Sequence, residues 1–506
     1  MTAVGGLRGR VPRVPKDGAP KDAAPKDGAA APSIGDLVRD LAGAGEVTSS
    51  PAAACLVAGS VPIESFDAVA VYAAAVEAGL EATLWLRPSE HFAMVGIGRA
   101  WSVEAAGPNR FDEADAAWRS LVAGARVSRP ADVRGLGPVL LGGLGFTGRA
   151  PEPQGDWAPF GAASLVVPSL VALRSDRRSW LTASVVAGSA QAGAEGTRLE
   201  RVWAQLAERA GELAPEAGAP APKPPDAHLA IDRDWPEAHQ WRHIVALMAG
   251  AVGRGRLDKV VFARRVDMSS PATLDVPSAL RRLAASAPES TVFAFRRGTR
   301  VFIGATPERL VRTDGRRYRT AAIAGSARRG SDPEEDAALA AELLASDKER
   351  EEHSVVVRAI RRQLAPISEQ IEIAPEPGIL VLRHVQHLVT EVAGTLRVQE
   401  GLLALAGRLH PTPAVGGEPR DLALAMIDEH EGFDRGWYSG PVGWLSSGGD
   451  GEMMVALRCG LVEENRVTLF AGCGIVADSD PDREWEESRI KMRAVAAALG
   501  RAGDEP

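Results

Sequence analysis

Two segments in the last third of the chain each carry glutamates three residues apart. They are Ser346–His353 and Ser479–Lys491, and the second lies two residues beyond the end of Ala-Gly-Cys-Gly-Ile-Val. Residues spaced i,i+3 share one face of a helix. The glutamate pairs are Glu349 with Glu352 and Glu484 with Glu487. Four carboxylates on two facing helices repel one another unless a cation lies between them, and oxygen-only ligands favour a hard cation such as Mg2+.

Composition restricts the class of protein. The 506 residues, 45% hydrophobic and 25% charged, are typical of a soluble globular protein with one large domain or two to three smaller ones. A net charge of −8 argues against a nucleic-acid partner. Three scattered cysteines fit a reducing compartment better than a disulfide framework. Without a long apolar run or a signal peptide, the sequence predicts a cytoplasmic protein with no membrane partner.

The chain divides by composition. Pro-Lys-Asp repeats near the N-terminus offer too few apolar side chains to offset the entropy of ordering, so residues 1–33 are predicted to be a disordered tail. The rest, 34–506, is predicted to fold. A Pro/Ala-rich stretch, Pro215–Ala227, separates an N-terminal portion (34–228) from a motif-bearing portion (235–500). This stretch is either a domain linker or a surface loop within one fold.

Hydrophobic periodicity predicts strands and helices in a mixed order. It favours single strands over 92–103 and 163–174, and a single helix over 334–364. Because regular strand–helix–strand alternation is missing, the fold class is predicted to be α+β.

Two local signals concern turns and caps. Asp480 followed by Pro481 fits the cap and first position of a helix. Gly142–Gly145 is interpreted as a tight turn in preference to a phosphate-binding loop, because no Lys-Ser/Thr follows it.

Eight ordered motifs resemble the chorismate-utilising enzymes and, within them, the isochorismate synthases. The resemblance covers roughly residues 235–500. Its motifs are Lys259–Arg264, Gly304–Arg309, Ala324–Gly330, Ser346–His353, Leu409–Gly417, Asp434–Gly440, Ala471–Val476 and Glu484–Lys491.

The resemblance implies one large domain in which two antiparallel-rich sheets enclose a cleft flanked by helices. The implied substrate is chorismate, and the implied reaction is Mg2+-dependent addition of water at C2 with loss of the C4 hydroxyl, an isomerisation to isochorismate. A salicylate synthase, which then eliminates pyruvate, is the alternative. Anthranilate synthases resemble this chain but carry glutamine at the position of Lys259, so no glutaminase subunit is expected. A monomer or weak homodimer is expected, and a catalytically inactive chorismate-binding regulator is the non-enzymatic alternative.

Two residues are implied to be catalytic. By resemblance Lys259 is the base that activates water, which requires an uncharged amine; alternatively it is a strand-end lysine whose amine reaches solvent. Glu308 is implied to be the general acid that protonates the departing hydroxyl, with its pKa raised by burial. Alternatively, Glu308 forms a salt bridge with Arg309 or lies on the surface.

The resemblance also assigns the metal site. Glu352 and Glu487 are implied to bind Mg2+ directly, with Glu349 and Glu484 as supporting carboxylates. The substrate's ring carboxylate would be the third partner. The alternative for each glutamate-rich helix is an ordinary solvated face.

The implied substrate contacts form two groups. Arg458, placed on a strand Met453–Cys459, and Tyr438 are implied to hold the pyruvyl carboxylate. Gly472 and Gly474 offer backbone amides to a carboxylate, or form a plain turn.

The remaining implied contacts surround the ring. Lys491 pairs with the glutamates or with the substrate. Gly325 and Ser326 belong to a loop that holds the substrate, and Thr412 begins a stretch that shapes the pocket wall. His387 lies near the substrate or is a core histidine.

Overall fold

The computed structural model describes residues 33–43, 55–187, 189–215, 227–382 and 385–502. Apart from Ser33, the predicted N-terminal tail lies outside these ranges, as does the Pro/Ala-rich stretch except for its two ends. No helix within the described ranges is both long and apolar enough to cross a bilayer.

The helices alternate irregularly with many short strands. The described helices are α1 (Ile34–Gly43), α2 (Ala68–Glu77), α3 (Arg110–Ala123), α4 (Ser189–Leu213), α5 (Ala238–Gly253), α6 (Val276–Ser286), α7 (Pro333–Ala345), α8 (Asp347–Leu364), α9 (Leu402–Leu409), α10 (Arg420–His430) and α11 (Pro481–Leu499). The described strands are β1 (Cys55–Ile63), β2 (Ala82–Arg87), β3 (Phe92–Ile97), β4 (Trp101–Glu104), β5 (Arg126–Ser128), β6 (Val139–Leu144), β7 (Ala163–Val167), β8 (Leu170–Ser175), β9 (Arg178–Ala187), β10 (His228–Trp235), β11 (Lys259–Ser269), β12 (Thr291–Arg297), β13 (Arg300–Thr306), β14 (Arg309–Asp314), β15 (Arg317–Arg328), β16 (Ser368–Ile373), β17 (Gly378–Val381), β18 (Val385–Leu396), β19 (Gly417–Glu418), β20 (Pro441–Ser446), β21 (Gly451–Val455), β22 (Cys459–Glu463), β23 (Arg466–Ile475) and β24 (Arg501–Ala502).

The larger sheet has 14 strands within the described part of the chain. Their order is β24-β10-β11-β23-β22-β13-β12-β2-β3-β8-β9-β1-β5, with β19 beside β11. The pairings are antiparallel except those of β1 with β5 and of β10 with β24. Apolar side chains of the helices α1, α2, α4, α6 and α11 pack with this sheet in one buried cluster. Helices therefore flank the larger sheet.

The smaller sheet has 10 strands among the described residues, in the order β16-β18-β15-β14-β21-β20-β6-β7-β4 with β17 beside β18. Its described pairings are antiparallel. Aromatic side chains from both sheets, among them Trp85, Phe293 and Trp444, pack in one buried cluster. The prediction of an α+β fold with two antiparallel-rich sheets is therefore confirmed.

Both portions of the chain contribute to both sheets. In the larger sheet β2 pairs with β12, and in the smaller sheet β6 pairs with β20. Strands from before and after the Pro/Ala-rich stretch are thus hydrogen-bonded neighbours, which is what a single domain requires and separate domains would not show.

Two predicted strands are wrong because the chain changes sheets within them. Residues 92–103 form β3 in the larger sheet and β4 in the smaller one, and the turn between them includes Gly98 at φ 69°. Residues 163–174 likewise divide into β7 and β8 around Pro168, which has no N–H to donate to either ladder.

The predicted helix over 334–364 is two helices. Ser346 ends α7 with an extended backbone and caps α8, since its hydroxyl accepts a bond from the Glu349 amide at 3.3 Å. The turn expected at Gly142–Gly145 is also wrong, because Gly142 and Gly143 lie inside β6. A Cβ at Gly142 would lie 2.1 Å from the Ser164 carbonyl oxygen, so close strand pairing requires glycine there.

Candidate active site

One cleft contains most of the residues that the sequence singled out. Of the predicted site residues, those that line it are Lys259, Glu308, Gly325, Ser326, Glu352, His387, Tyr438, Arg458, Gly472, Gly474, Glu487 and Lys491. They come from both sheets and from the two glutamate-rich helices. Glu349, Glu484 and Thr412 are not among the lining residues, and their positions are given below.

Lys259 is the first residue of β11 and is only 2% exposed. Its Nζ donates to Glu352 Oε1 at 2.6 Å. The side chain crosses the backbone of Gly474 on the neighbouring strand, where an added Cβ would lie 2.4 Å from Lys259 Cε and 2.8 Å from Nζ. A residue with a side chain at position 474 would therefore displace the amine from the cleft. The structure places the amine at the cleft wall and not in solvent.

Glu308 lies between β13 and β14 and is 8% exposed. The Val455 amide donates to its carbonyl at 2.9 Å, while the Thr306 hydroxyl donates to the Val455 carbonyl at 2.6 Å. Burial raises the pKa of Glu308 to about 7, although Lys259 and Lys491 oppose the shift. The direction is the one expected of a proton donor near neutral pH.

The two glutamate-rich helices both begin at side-chain caps. Ser346 caps α8 as described above, and the Asp480 carboxylate accepts bonds from the Asp482 and Arg483 amides at the start of α11. Pro481 is the first helical residue, as predicted from the sequence. These caps fix where each helix begins and therefore which face each carboxylate presents.

The carboxylates of the two helices interact electrostatically. Burial, together with the charge of Glu352, raises the pKa of Glu349, and burial together with Glu487 raises the pKa of Glu484 to about 7. Although burial acts in the opposite direction, Lys491 holds the pKa of Glu487 below its usual range through an ion pair of 2.6 Å. The Lys491 ammonium therefore offsets part of the negative charge, and the raised pKa values of Glu349 and Glu484 reflect burial and the charge that remains.

The donor atoms fit a hard divalent cation. Glu352 and Glu487 face the cleft, and Glu349 also accepts a bond from the Ser326 amide at 3.0 Å. The Cys473 sulfur lies within 4.8 Å of carboxylate oxygens of Glu484 and Glu487. Burial raises the pKa of this thiol, which donates to the Glu484 carbonyl at 3.1 Å. A protonated thiol is not a metal ligand, so the set available is carboxylate oxygen, which suits Mg2+.

Arg458 lies between β21 and β22, so its predicted place on a strand is wrong. It adopts a left-handed backbone with φ 49°, an uncommon conformation for a residue with a side chain, and it lines the cleft. Tyr438 also lines the cleft, and burial raises the pKa of its phenol to about 12, so the hydroxyl stays a neutral donor. Gly472 makes room for that hydroxyl, since a Cβ there would lie 2.9 Å from it.

Three further polar groups are arranged around the cleft. Lys491 Nζ donates to the Gly472 carbonyl at 2.8 Å in addition to its pairing with Glu487. His387 Nδ1 lies 2.8 Å from the Ser326 hydroxyl. Burial lowers the pKa of His387 to about 3, so its imidazole is neutral.

Thr412 does not line the cleft but belongs to the loop that does. Its carbonyl accepts bonds from the Val415 and Gly416 amides, and Ala414 and Val415 form part of the cleft wall. Thr412 instead lines a neighbouring surface cavity that also contains Arg420. We therefore correct its predicted place in the pocket wall.

Sequence reasoning did not single out a buried ion pair behind the cleft. Arg435 forms an ion pair of 2.6 Å with Glu431 and donates to the carbonyls of Val261 and Val415, both of which line the cleft. Glu431 in turn accepts a bond from the Ala263 amide. The available signal was the position of Arg435 within the motif Asp434–Gly440.

The fold and the cleft define an enzyme for an anionic small molecule, with carboxylates, lysines, an arginine and a glutamate of raised pKa facing one space. A family model described as chorismate binding enzyme matches residues 44–500, and the chain therefore belongs to the chorismate-binding enzyme family. The resemblance drawn from its motifs is confirmed.

Individual relatives match over most of the chain. The salicylate biosynthesis isochorismate synthase of Pseudomonas aeruginosa is 37% identical over 448 residues, which are 88% of this chain and 91% of that protein. Isochorismate synthase MenF of Bacillus subtilis is 31% identical over 455 residues, 88% of this chain and 94% of that protein. The solved structure of MenF, the menaquinone-specific isochorismate synthase from Escherichia coli, matches with a TM-score of 0.72 at 24% identity, covering 92% of this chain and 99% of that one. At that identity the last likeness concerns the fold.

Proposed function

We propose that this chain is an isochorismate synthase, an isomerase that converts chorismate to isochorismate for menaquinone or siderophore biosynthesis. The observation that carries the proposal is the presence of the Lys259 amine, the Glu308 carboxyl and two metal-type carboxylates in one cleft. Relatives that bear the name isochorismate synthase support it.

Each of the two proton transfers has its own residue: Lys259 accepts one proton and Glu308 donates the other. Lys259, as a free amine, takes a proton from the water whose oxygen bonds to C2. The ring double bonds shift, the C4–oxygen bond breaks, and Glu308 gives its proton to the departing hydroxyl, which leaves as water. The buried position of Glu308 suits this role, since a pKa of about 7 leaves a substantial fraction of the carboxyl protonated near neutral pH.

Glu352 and Glu487 would hold Mg2+, with Glu349 and Glu484 behind them. When bound, the ion would offset the repulsion among the four carboxylates and would attract the substrate's ring carboxylate. Glu349 additionally fixes the Ser326 amide beside the cleft.

The other charged and polar groups orient the substrate. Arg458 and the neutral Tyr438 hydroxyl face the same part of the cleft as Gly472 and are suited to the pyruvyl carboxylate. Ser326, paired with the neutral His387, offers a hydroxyl to the ring.

Solvent labelling tests the proposed chemistry. In water enriched in oxygen-18, isochorismate formed by this chain is expected to carry one heavy oxygen, located at C2, when analysed by mass spectrometry. Isochorismate without label would contradict addition of water. Formation of salicylate and pyruvate would instead favour the salicylate synthase alternative.

A further inference from the structure

The strand that carries Lys259 also carries a buried arginine on its opposite face. Lys259 and Val261 line the cleft, whereas Val260 and Phe262 pack in the core cluster that contains α5 residues. Arg264, at 0% exposure, shares the latter face because side chains alternate along a strand. Its guanidinium reaches α11 and not the cleft.

Arg264 contacts α11 in two ways. Its Nη1 donates to the Ser488 hydroxyl at 2.6 Å, and its guanidinium carbon lies 3.2 Å from the centroid of the Trp485 ring. The Ser488 hydroxyl donates in turn to the Trp485 carbonyl at 2.6 Å. On its other side, Arg264 Nη2 forms an ion pair of 2.6 Å with Asp234 on β10. The guanidinium therefore connects two neighbouring strands to one side of α11.

The residues that Arg264 contacts directly follow the carboxylates of α11. Trp485 comes after Glu484, and Ser488 comes after Glu487. Successive helical residues are turned by about 100° and displaced by about 1.5 Å along the axis. A contact that fixes Trp485 and Ser488 against the sheet consequently fixes the direction in which Glu484 and Glu487 point.

A contribution to the stability of the fold is a weak explanation for the buried charge of Arg264. Replacing a buried ion pair with well-packed apolar side chains is often neutral or stabilising, since desolvation offsets the attraction. The apolar core cluster on this side of β11 includes Trp241 and Met248 of α5. An arginine here supplies directional bonds and a flat stacking surface, which an apolar residue would not.

We infer that Arg264 is a positioning residue: through Trp485 and Ser488 it sets the rotation and height of α11 at which Glu484 and Glu487 meet a metal ion. This inference rests on the proposed function, because that function assigns the two glutamates to Mg2+. Strand β11 would then have two roles: it presents Lys259 to the cleft on one face, and on the other face it holds α11 through Arg264.

The test compares Arg264→Met and Ser488→Ala with the unaltered full-length chain. Mg2+ is titrated into each protein by calorimetry, and the Mg2+ concentration for half-maximal turnover of chorismate is measured separately from kcat. We expect Arg264→Met to weaken Mg2+ binding about 10- to 100-fold, the usual cost of losing support behind a metal ligand. Ser488→Ala removes one bond and keeps the stacking, so a smaller shift in the same direction is expected. At saturating Mg2+, kcat should largely recover.

Arg297→Met is the matched control. Arg297 is another buried arginine of the larger sheet, on β12, and it donates to the Arg296 carbonyl. Three strands separate β12 from β11. This variant also loses a buried guanidinium but is expected to bind Mg2+ as the unaltered chain does.

The outcomes separate the two proposals. Unchanged Mg2+ affinity in a folded Arg264→Met or Ser488→Ala protein would overturn the positioning role, as would equal weakening in Arg297→Met. If Arg264→Met fails to fold, Ser488→Ala decides the matter. An unaltered chain with neither a calorimetric Mg2+ signal nor Mg2+-activated turnover would instead overturn the proposed metal site.

Discussion

Lys259 reaches the cleft because Gly474, on the adjacent strand, leaves the space that its side chain crosses. The sequence contains both residues, but their contact depends on the register between β11 and β23, in which Val261 is opposite Gly474. Local patterns do not determine which residues of two distant strands meet. From the sequence, Gly474 is expected only to offer its amide to a carboxylate. The structure shows that it also leaves space for the Lys259 side chain.

The proposed role of Lys259 as the base is tested by Lys259→Met, which keeps most of the side-chain volume and removes the amine. We expect kcat to fall about 100- to 10,000-fold, the usual contribution of a general base, while Mg2+-dependent binding of chorismate is retained. Lys348→Met is the control, because Lys348 is largely exposed and pairs with Asp478. Loss of chorismate binding in Lys259→Met would make the lysine an anchor for the substrate instead of a base.

The proposed role of Glu308 as the acid is tested by the pH dependence of turnover. With a pKa of about 7, Glu308 is protonated below neutral pH, so kcat is expected to fall as the pH rises through about 7. Glu308→Gln should lower kcat across the whole range, since the amide gives up no proton. Full activity of this variant at any pH would exclude Glu308 as the proton donor.

Glu308 should also leave a signature in stability. Its folded pKa is raised above the ordinary value of 4.5, so its contribution is fully present below about pH 4.5 and is lost as the pH rises through about 7. The loss is on the order of 3 kcal/mol at most. Between pH 5 and pH 8, the free energy of unfolding measured with denaturant should therefore decrease less for Glu308→Gln than for the unaltered chain. Exposed Glu113→Gln is the control, and the titration of Glu484 is common to all three proteins.

At the scale of elements, cap chemistry decided which predictions held. The pair Asp480 and Pro481 predicted the start of α11 correctly. The break at Ser346 was missed, although Ser346 and Glu349 have the spacing of a helix-capping signal. Helical periodicity continues through that position, and apolar pattern alone does not separate two consecutive helices from one long one.

The strands that change sheets were missed for a different reason. In β3–β4 and β7–β8 the apolar pattern runs on while the hydrogen-bond partners change from one sheet to the other. A turn at glycine or proline was the available signal. Which sheet each half joins depends on partners far away in the sequence.

Glu487→Gln tests the proposed metal-binding face of α11. Loss of the charge is expected to raise the Mg2+ concentration for half-maximal activity at least about tenfold, with activity partly restored by added Mg2+. Glu486→Gln is the matched control one residue away, where Glu486 pairs with Arg489. An unchanged Mg2+ requirement in Glu487→Gln would remove this glutamate from the ligands.

At the scale of the whole molecule, the two portions of the chain complete each other. Strands from before the Pro/Ala-rich stretch pair with strands from after it in both sheets. Composition alone left a linker and a loop equally open, and the single-domain expectation came from the family resemblance. The boundary of the folded region at residue 34 stays a prediction.

The meeting of the site residues in one cleft likewise depends on the fold of the whole molecule. Lys259, Glu308 and Glu352 come from three separate segments of the sequence, yet all line one cleft. The motifs identified which residues to examine, but their meeting is a property of the two sheets and the helices α8 and α11. Arg264 and Arg435 each belong to one of these motifs, but the motifs did not indicate which groups the two guanidinium groups contact.

The most direct test is chromatography of chorismate incubated with the purified full-length chain and Mg2+. We expect Mg2+-dependent conversion to isochorismate, without salicylate or pyruvate. Chorismate left unchanged by the folded, Mg2+-supplied protein would contradict it.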